Sequence, residues 1–364
     1  MAGIFRFSNA VSDIAKFIQT YKLIYGHFIK DSNSGKFFNH DDAAKFLATE
    51  GLASSRGAVG LEALKRSTEK NKSLDPLYNQ HKSYSEMFRM LGWYEPGNMQ
   101  TNFKLTEYGE YIYGNDDENT LQKLFGLNVL HIVSPNPLTT VKGYNVLRPF
   151  VYLLKLMLRV GGMINRDEMI LEVLACENDL DENAVEESAR RILELRATKN
   201  FDSVEKKIVE LRIKHRKTGT KIMSEDTLPN YTRFPIATLK WMKWAEPVSD
   251  KTIYGPKKSI KFLRLTSYGK TLAKDLNEMP DVRFEMLDKY SRQEKLSFIA
   301  YSNLYQLQKI GFDLGEYENK IECLKKRSHK ILSDYNIEDD FLFFGYQEAP
   351  RACLNEVDAL LEEC

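Results

Sequence analysis

The sequence predicts a mainly α fold with small β hairpins, an α+β chain in which two tandem units precede a helical C-terminal region. Three observations carry this expectation. One segment recurs in register, both copies hold a helical apolar stripe ending at a tryptophan, and the last stretch of chain reads as helices rich in aromatics. The expected divisions are 1–140, 141–280 and 281–364. At 364 residues the chain is long enough for two or three domains of about 100–200 residues each.

Placing Trp93 on Trp244 also matches Leu77 with Leu228, Asn79 with Asn230, Lys82 with Arg233, Glu95 with Glu246 and Pro96 with Pro247. After a spacer of variable length, Leu105-Thr106-x-Tyr108-Gly109 matches Leu265-Thr266-x-Tyr268-Gly269. In each copy a helix buries one stripe (Met87, Met90, Leu91; Leu239, Met242). A proline then stops it, and a polar spacer leads into a short strand. Thr106 and Thr266 are placed to cap the helix that follows. Helix, hairpin, helix is the closing part of a winged-helix unit, so tandem winged-helix subdomains are expected.

Ahead of the second copy, Pro149 opens a helix at its first position, with Phe150, Leu153, Leu154, Met157 and Leu158 on one stripe. Gly161-Gly162 ends it, and Asn165 with Glu168 forms a capping box for the next helix. The charged stretch from Asp181 to Ile213 reads as a helical insertion. In the first unit, early helices are expected at Ser8–Ile29 and His40–Gly51, before a Gly/Ser break at Ala53–Gly60. Near the end, Phe341–Phe344 is an apolar cluster that calls for a packing partner.

Composition narrows the function. Hydrophobic residues are 43% and charged residues 28%, which excludes a disordered or collagenous chain. The apolar run around Phe150–Leu158 is interrupted by Lys155 and falls far short of a bilayer span, so no membrane partner is expected. No targeting segment is visible. Cys176, Cys323, Cys353 and Cys364 are scattered with no CxxC pair. They suit a reducing, cytoplasmic setting and neither a zinc finger nor a disulfide scaffold.

Net charge is only +1, yet the charge is segregated. Asp167–Glu187 holds nine acidic residues and no basic ones, whereas Lys240–Lys274 holds nine basic residues against Glu246 and Asp250. Basic residues thus gather on the third helix and hairpin of the second unit and on the loop before it, with Lys217 and Lys221. That distribution suits phosphate neutralisation on double-stranded DNA. Asn79, Gln80, His81 and Lys82, with Asn230, Thr232 and Arg233, are residue types that read base edges from a helix tip. Asn79 and Asn230 equally suit helix caps. Hairpin residues Asn98, Gln100, Asn102, Lys104, Lys251, Tyr254, Lys257, Lys258 and Lys261 are expected on phosphate or in the minor groove. Trp93 and Trp244, at helical spacing beside apolar neighbours, are expected in the core.

Catalytic machinery is sparse. The six histidines have no metal-ligand spacing, and no phosphate loop or nucleophile motif stands in a convincing setting. Asp313 with Glu318-x-Lys320, and Glu205-x-Lys207, have the letters of a metal nuclease but lie in helical patterns.

Leu147–Leu174, with its Pro-hydrophobic helix ending in Gly-Gly, resembles a segment of the recognition region of AlwI-type type IIS restriction endonucleases and their nicking relatives. Lys82–Trp93 and its Leu-Thr-x-Tyr-Gly strand and cap resemble the first recognition subdomain of that family, and Thr232–Trp244 the recognition helix of the second. The FokI recognition region is built similarly. The resemblance spans Leu77–Asp275. It implies an N-terminal module that reads a short asymmetric DNA site, with cleavage by a separate PD-(D/E)xK nuclease domain or catalytic subunit using Mg²⁺. The expectation is therefore a recognition module, non-catalytic by itself and with no cofactor of its own. A protein-interaction scaffold and a complete nuclease with a cryptic metal site stand as alternatives.

Overall fold

The computed structural model describes residues 3–7, 11–30, 38–52, 54–55, 58–66, 75–96, 102–136, 145–214, 223–255, 259–337, 356–357 and 360–364. The chain is mainly helical, with small three-stranded antiparallel sheets.

The first unit opens with α1 (Ile14–Tyr25), whose N-cap Asp13 accepts from the Lys16 amide, and continues in a π-helical turn to Lys30. β1 (Phe38–Asn39) leads into α2 (His40–Thr49), capped by Asn39. A small hairpin, β2 (Ser54–Ser55) and β3 (Ala58–Val59), lies in the expected Gly/Ser break, and the short α3 (Leu61–Arg66) follows it. α4 (Pro76–Met90) carries proline at its first turn and Asp75 as its cap. The strands β4 (Tyr94–Pro96) and β5 (Asn102–Leu105) then form a hairpin, and β1 pairs with the outer edge of β5. Two helices, α5 (Glu107–Gly114) and α6 (Glu118–Leu130), complete the unit.

The second unit repeats this order. α7 (Pro149–Arg159) opens on Pro149, and β6 (Met163–Asn165) follows. α8 (Arg166–Met169) starts from the expected capping box of Asn165 and Glu168 and runs into a π-helical turn at Ile170–Leu174. The insertion is helical, as α9 (Ala184–Ala197) and α10 (Asp202–Lys214). Then come α11 (Thr227–Tyr231), α12 (Arg233–Trp241), β7 (Ala245–Asp250), β8 (Ile260–Leu265) and α13 (Ser267–Glu278). β8 again lies between the first strand, β6, and its hairpin partner β7. Pro235 explains the break between α11 and α12. It has no amide hydrogen for the Tyr231 carbonyl four residues back, and its ring crowds that carbonyl.

The repeated motif makes the same local structure twice. Thr106 Oγ1 accepts from the Gly109 amide and Thr266 Oγ1 from the Gly269 amide. The two threonine amides donate to the Trp93 and Trp244 carbonyls at 3.1 and 3.0 Å. Each glycine sits under that tryptophan carbonyl: a Cβ on Gly109 would lie 2.7 Å from the Trp93 oxygen, and one on Gly269 would lie 1.9 Å from the Trp244 oxygen. Only glycine fits there. One detail differs. Gly92 ends α4 with φ of 77°, and the matching Lys243 ends α12 with φ of 55°, where a side chain is disfavoured.

Both tryptophans are buried as expected. Phe17 stacks on Phe88 at 4.6 Å and Tyr21 packs on Trp93 at 4.8 Å. Phe234 of α12 contacts Phe7, Phe17, Phe125 and Phe150, which draws the N-terminal segment and both units into one apolar core. This core is continuous across the divisions expected at 140 and 280. The N-terminal residues Phe5 and Phe7 lie on the second unit, where the Phe5 amide donates to the Leu174 carbonyl.

Beyond the second unit, α14 (Arg292–Lys309) is buried along most of its length. Its Asn303 accepts from the Tyr108 hydroxyl, and its Gln306 pairs with His131. The equivalent of Tyr108 in the second unit, Tyr268, is exposed, and no helix among the described residues covers it. α15 (Ile321–Arg327) and α16 (His329–Asp334) follow. A disulfide joins Cys323 to the final residue, Cys364, at a Cα separation of 6.1 Å, so these two cysteines are not the free thiols expected from their spacing. Spacing along the chain says nothing of their adjacency in space. Among the described residues no helix is long and apolar enough to cross a membrane. The Phe341–Phe344 cluster lies outside the described residues.

Candidate functional site

On α12, Phe234, Pro235, Thr238 and Leu239 face the core. Arg233, Ile236, Ala237 and Lys240 therefore share the outer stripe, at the i, i+3, i+4, i+7 spacing of one helix face. This stripe forms one wall of a cleft of about 350 Å³, whose other walls include Ser12, Arg166 of α8, and Asp226 and Asn230 of α11. Arg166, Arg233 and Lys240 are exposed and bring three cations to the cleft, against one carboxylate, that of Asp226, among the described lining residues. Among the described residues Arg233 and Lys240 have no ion-pair partner, and Arg166 reaches only Asp167, at 3.5 Å.

In the first unit Lys82 is the exposed residue of the α4 face and matches Arg233 in the repeat. Asn79 and Gln80 are half-buried in the second turn. Gln80 hydrogen-bonds Tyr84, and the helix cap is Asp75, so Asn79 is no cap. Asn230 likewise sits inside α11, half-buried at the cleft.

Three expected contact residues are corrected by their burial. His81 is fully buried because it shares the inner stripe of α4 with Leu77, Tyr84, Ser85 and Phe88, one helical step away from exposed Lys82. Thr232 is fully buried at the α11–α12 kink, its hydroxyl donating to the Pro229 carbonyl. Tyr254 points inward and its hydroxyl donates to Glu168 Oε1 at 2.6 Å.

Tyr254 belongs to a structural device that the sequence conceals. Buried Glu168 accepts from Arg196 Nε and Nη2, from the Tyr254 hydroxyl and from the Asn165 amide. Around it Leu195, Phe201, Val204, Tyr254, Ile260 and Phe262 form a small second core. Strand β8 explains the arrangement by its alternation. Ile260 and Phe262 on one face meet the insertion, whereas Leu263 and Leu265 on the adjacent positions meet the main core. The insertion thus backs the β7–β8 hairpin, and Lys261 is left exposed on the opposite face near its tip. Exposed Lys251 lies in the hairpin turn, which Lys199 holds through the Thr252 and Ile253 carbonyls.

The remaining expected contacts fall outside what is described: Lys217, Lys221, Lys257, Lys258, Asn98 and Gln100 entirely, and Asn102 and Lys104 as side chains on β5. Missed from the sequence were Arg166 and Lys240 as partners of Arg233. The cap at Asn165 marks where α8 begins but not what its first residue faces.

The candidate metal residues are otherwise engaged. Glu318 accepts from Gln308, Asp313 accepts from the Gly315 amide, and the Lys320 ammonium donates to the Leu361 carbonyl. Among the described residues no three His, Cys, Asp or Glu side chains are grouped to hold a metal ion.

His81 also sets a pH response. Its Nδ1 lies 3.0 Å from Nδ1 of His40 between α2 and α4, and its Nε2 lies 3.2 Å from Ser85 Oγ. Burial, helped by the positive charge of Arg89, lowers His40 to about 4 and holds His81 well below the usual histidine range. The folded state therefore resists protons that the unfolded chain takes up below about 6.5, and stability declines as pH falls. From pH 7 to pH 5 the expected loss from His40 alone is about 2 kcal/mol, and His81 adds to it in the same direction. Urea midpoints at the two pH values check this against the His40→Gln/His81→Gln double variant, which should lose much less. Equal losses in both proteins would contradict it.

No protein-family model matches this sequence, and no curated protein matches it.

Proposed function

We propose that the chain is a sequence-specific double-stranded DNA recognition module built of two winged-helix units. Supporting this reading is the shared order helix, strand, helix, then helix and hairpin, with the first strand pairing beside the last in both sheets. The observation that carries it is the matched pair Lys82 and Arg233. Each is an exposed cation without an ion-pair partner among the described residues, at the same position of the third main helix of its unit. Guanidinium and ammonium groups at that place suit guanine O6 and N7. Exposed Lys251 and Lys261 on the second hairpin suit phosphates, which position the protein without specifying sequence. Cleavage is assigned to a separate nuclease domain or catalytic subunit using Mg²⁺, and the setting to the cytoplasm.

Selection from a random duplex pool by the purified chain, with and without Mg²⁺, tests the reading. Arg233→Ala is expected to lose about 1–3 kcal/mol of discrimination at one base pair, while Lys261→Ala weakens cognate and random duplexes alike and lowers the salt slope by about 1. Absence of duplex binding, or binding indifferent to salt, would overturn the proposal. That outcome would favour a protein-contact role, for which exposed Val59 and Leu61 beside the β2–β3 hairpin are the relevant surface.

A further inference from the structure

We infer that the cleft beside α12 seats one phosphodiester group of the duplex backbone, held by Arg166 and Lys240 next to the base pair that Arg233 reads. This rests on the duplex reading above and assigns a division of labour within it.

The cleft is concave, and a concavity receives a protruding group, whereas base edges are read by side chains that protrude into a groove. On a duplex the protruding anion is the phosphate. Arg166 comes from the first turn of α8, and Lys240 from one turn below Ile236 and Ala237 on α12, so the two cations approach from separate walls. Among the described residues neither has a strong partner: Arg166 reaches Asp167 only at 3.5 Å, and Lys240 has no ion pair. Three cations around one cavity, against the one carboxylate of Asp226 among the described lining residues, leave it net positive, and its field favours an entering anion. An arginine fork and a lysine point charge together satisfy the oxygens of a single phosphate. Phe234, buried beside Arg233, holds the helix in place, so a phosphate fixed in the cleft sets where the Arg233 side chain meets the groove.

Asp226 gives the inference a direction that damage to the fold cannot imitate. It is exposed, lines the same cleft and opposes an anion there. Asp226→Asn is therefore expected to tighten duplex binding.

The experiment first measures binding of the wild-type chain to its selected duplex across a salt series, then repeats it with Arg166→Gln, Lys240→Gln and Asp226→Asn. Thermal melts confirm that each exposed substitution leaves the fold intact. The glutamine variants should bind cognate and random duplexes roughly 3- to 10-fold more weakly and lower the salt slope by about 1 each. Asp226→Asn should bind about 2- to 5-fold more tightly. A scan of single neutral methylphosphonate linkages should find one position that weakens the wild type and has no further effect on Arg166→Gln. Wild-type affinity and slope in both glutamine variants, or a loss confined to the cognate duplex, would overturn the phosphate seat while leaving the duplex reading intact. Failure of the wild type to bind duplex in the first measurement would remove both.

Discussion

Asp281→Ala is expected to cost about 3–5 kcal/mol of stability, visible as a large drop in the urea midpoint at unchanged slope. Asp281 stands between two buried guanidiniums. It accepts from Arg148 Nε at 2.7 Å and from Arg283 Nε and Nη2 at 2.8 and 2.6 Å. Arg283 also reaches both oxygens of Asp179 at 3.0 Å, and Asp179 in turn accepts the Arg148 amide at 2.6 Å. Burial pushes the Asp281 carboxyl up, but the two arginines more than reverse this and hold it far below the usual carboxylate range. The network ties the start of α7, the acidic loop before α9 and the chain leaving α13 at one point. Removing the shared carboxylate takes from Arg148, which is fully buried, its ion pair at 2.7 Å and from Arg283 two of its hydrogen bonds. The pair Arg148→Met/Asp281→Leu is expected to recover much of the loss, because replacing a buried ion pair by apolar side chains costs less than removing one partner alone. An Asp281→Ala loss below about 1 kcal/mol would show the network to be hydrated and unimportant.

Glu168→Ala is expected to be comparably damaging, about 3–5 kcal/mol, with a different local signature. It strands the buried Arg196 guanidinium, removes the acceptor of the Tyr254 hydroxyl and deletes half of the capping box of α8. The hairpin β7–β8 would then lose its buried tie to the insertion, keeping the exposed Lys199 contacts, while β6 and β8 stay paired. Hydrogen exchange should rise first at the hairpin residues 250–255 and at α9, and Tyr254→Phe should give a milder version of the same pattern. Under the proposed function both variants also lose duplex affinity, since Lys251 and Lys261 are displayed on this hairpin. Unchanged exchange at the hairpin would mean that strand pairing and the Lys199 contacts keep it in place without Glu168.

The repeated strand-and-helix motif and four local signals around it were legible in the sequence because they obey rules that act within a few residues. Threonine three positions before a glycine amide, asparagine three before a glutamate and proline in a first turn are local chemistry, and Thr106, Thr266, Asn165 and Pro149 all act as those rules require. The burial of Trp93 and Trp244 followed from apolar periodicity in the same way. Which face of a helix meets the core was a different matter. Successive residues turn by about 100°, so His81 went inside while Lys82 stayed outside, and the packing of α2 against α4 made that choice. The pairing of Glu168 with Arg196 and Tyr254, of Asp179 and Asp281 with their arginines, and the meeting of Arg166 with Arg233 and Lys240 join residues far apart along the chain. No periodicity announces such contacts, since burial and charge are settled only when separate elements pack and water leaves between them.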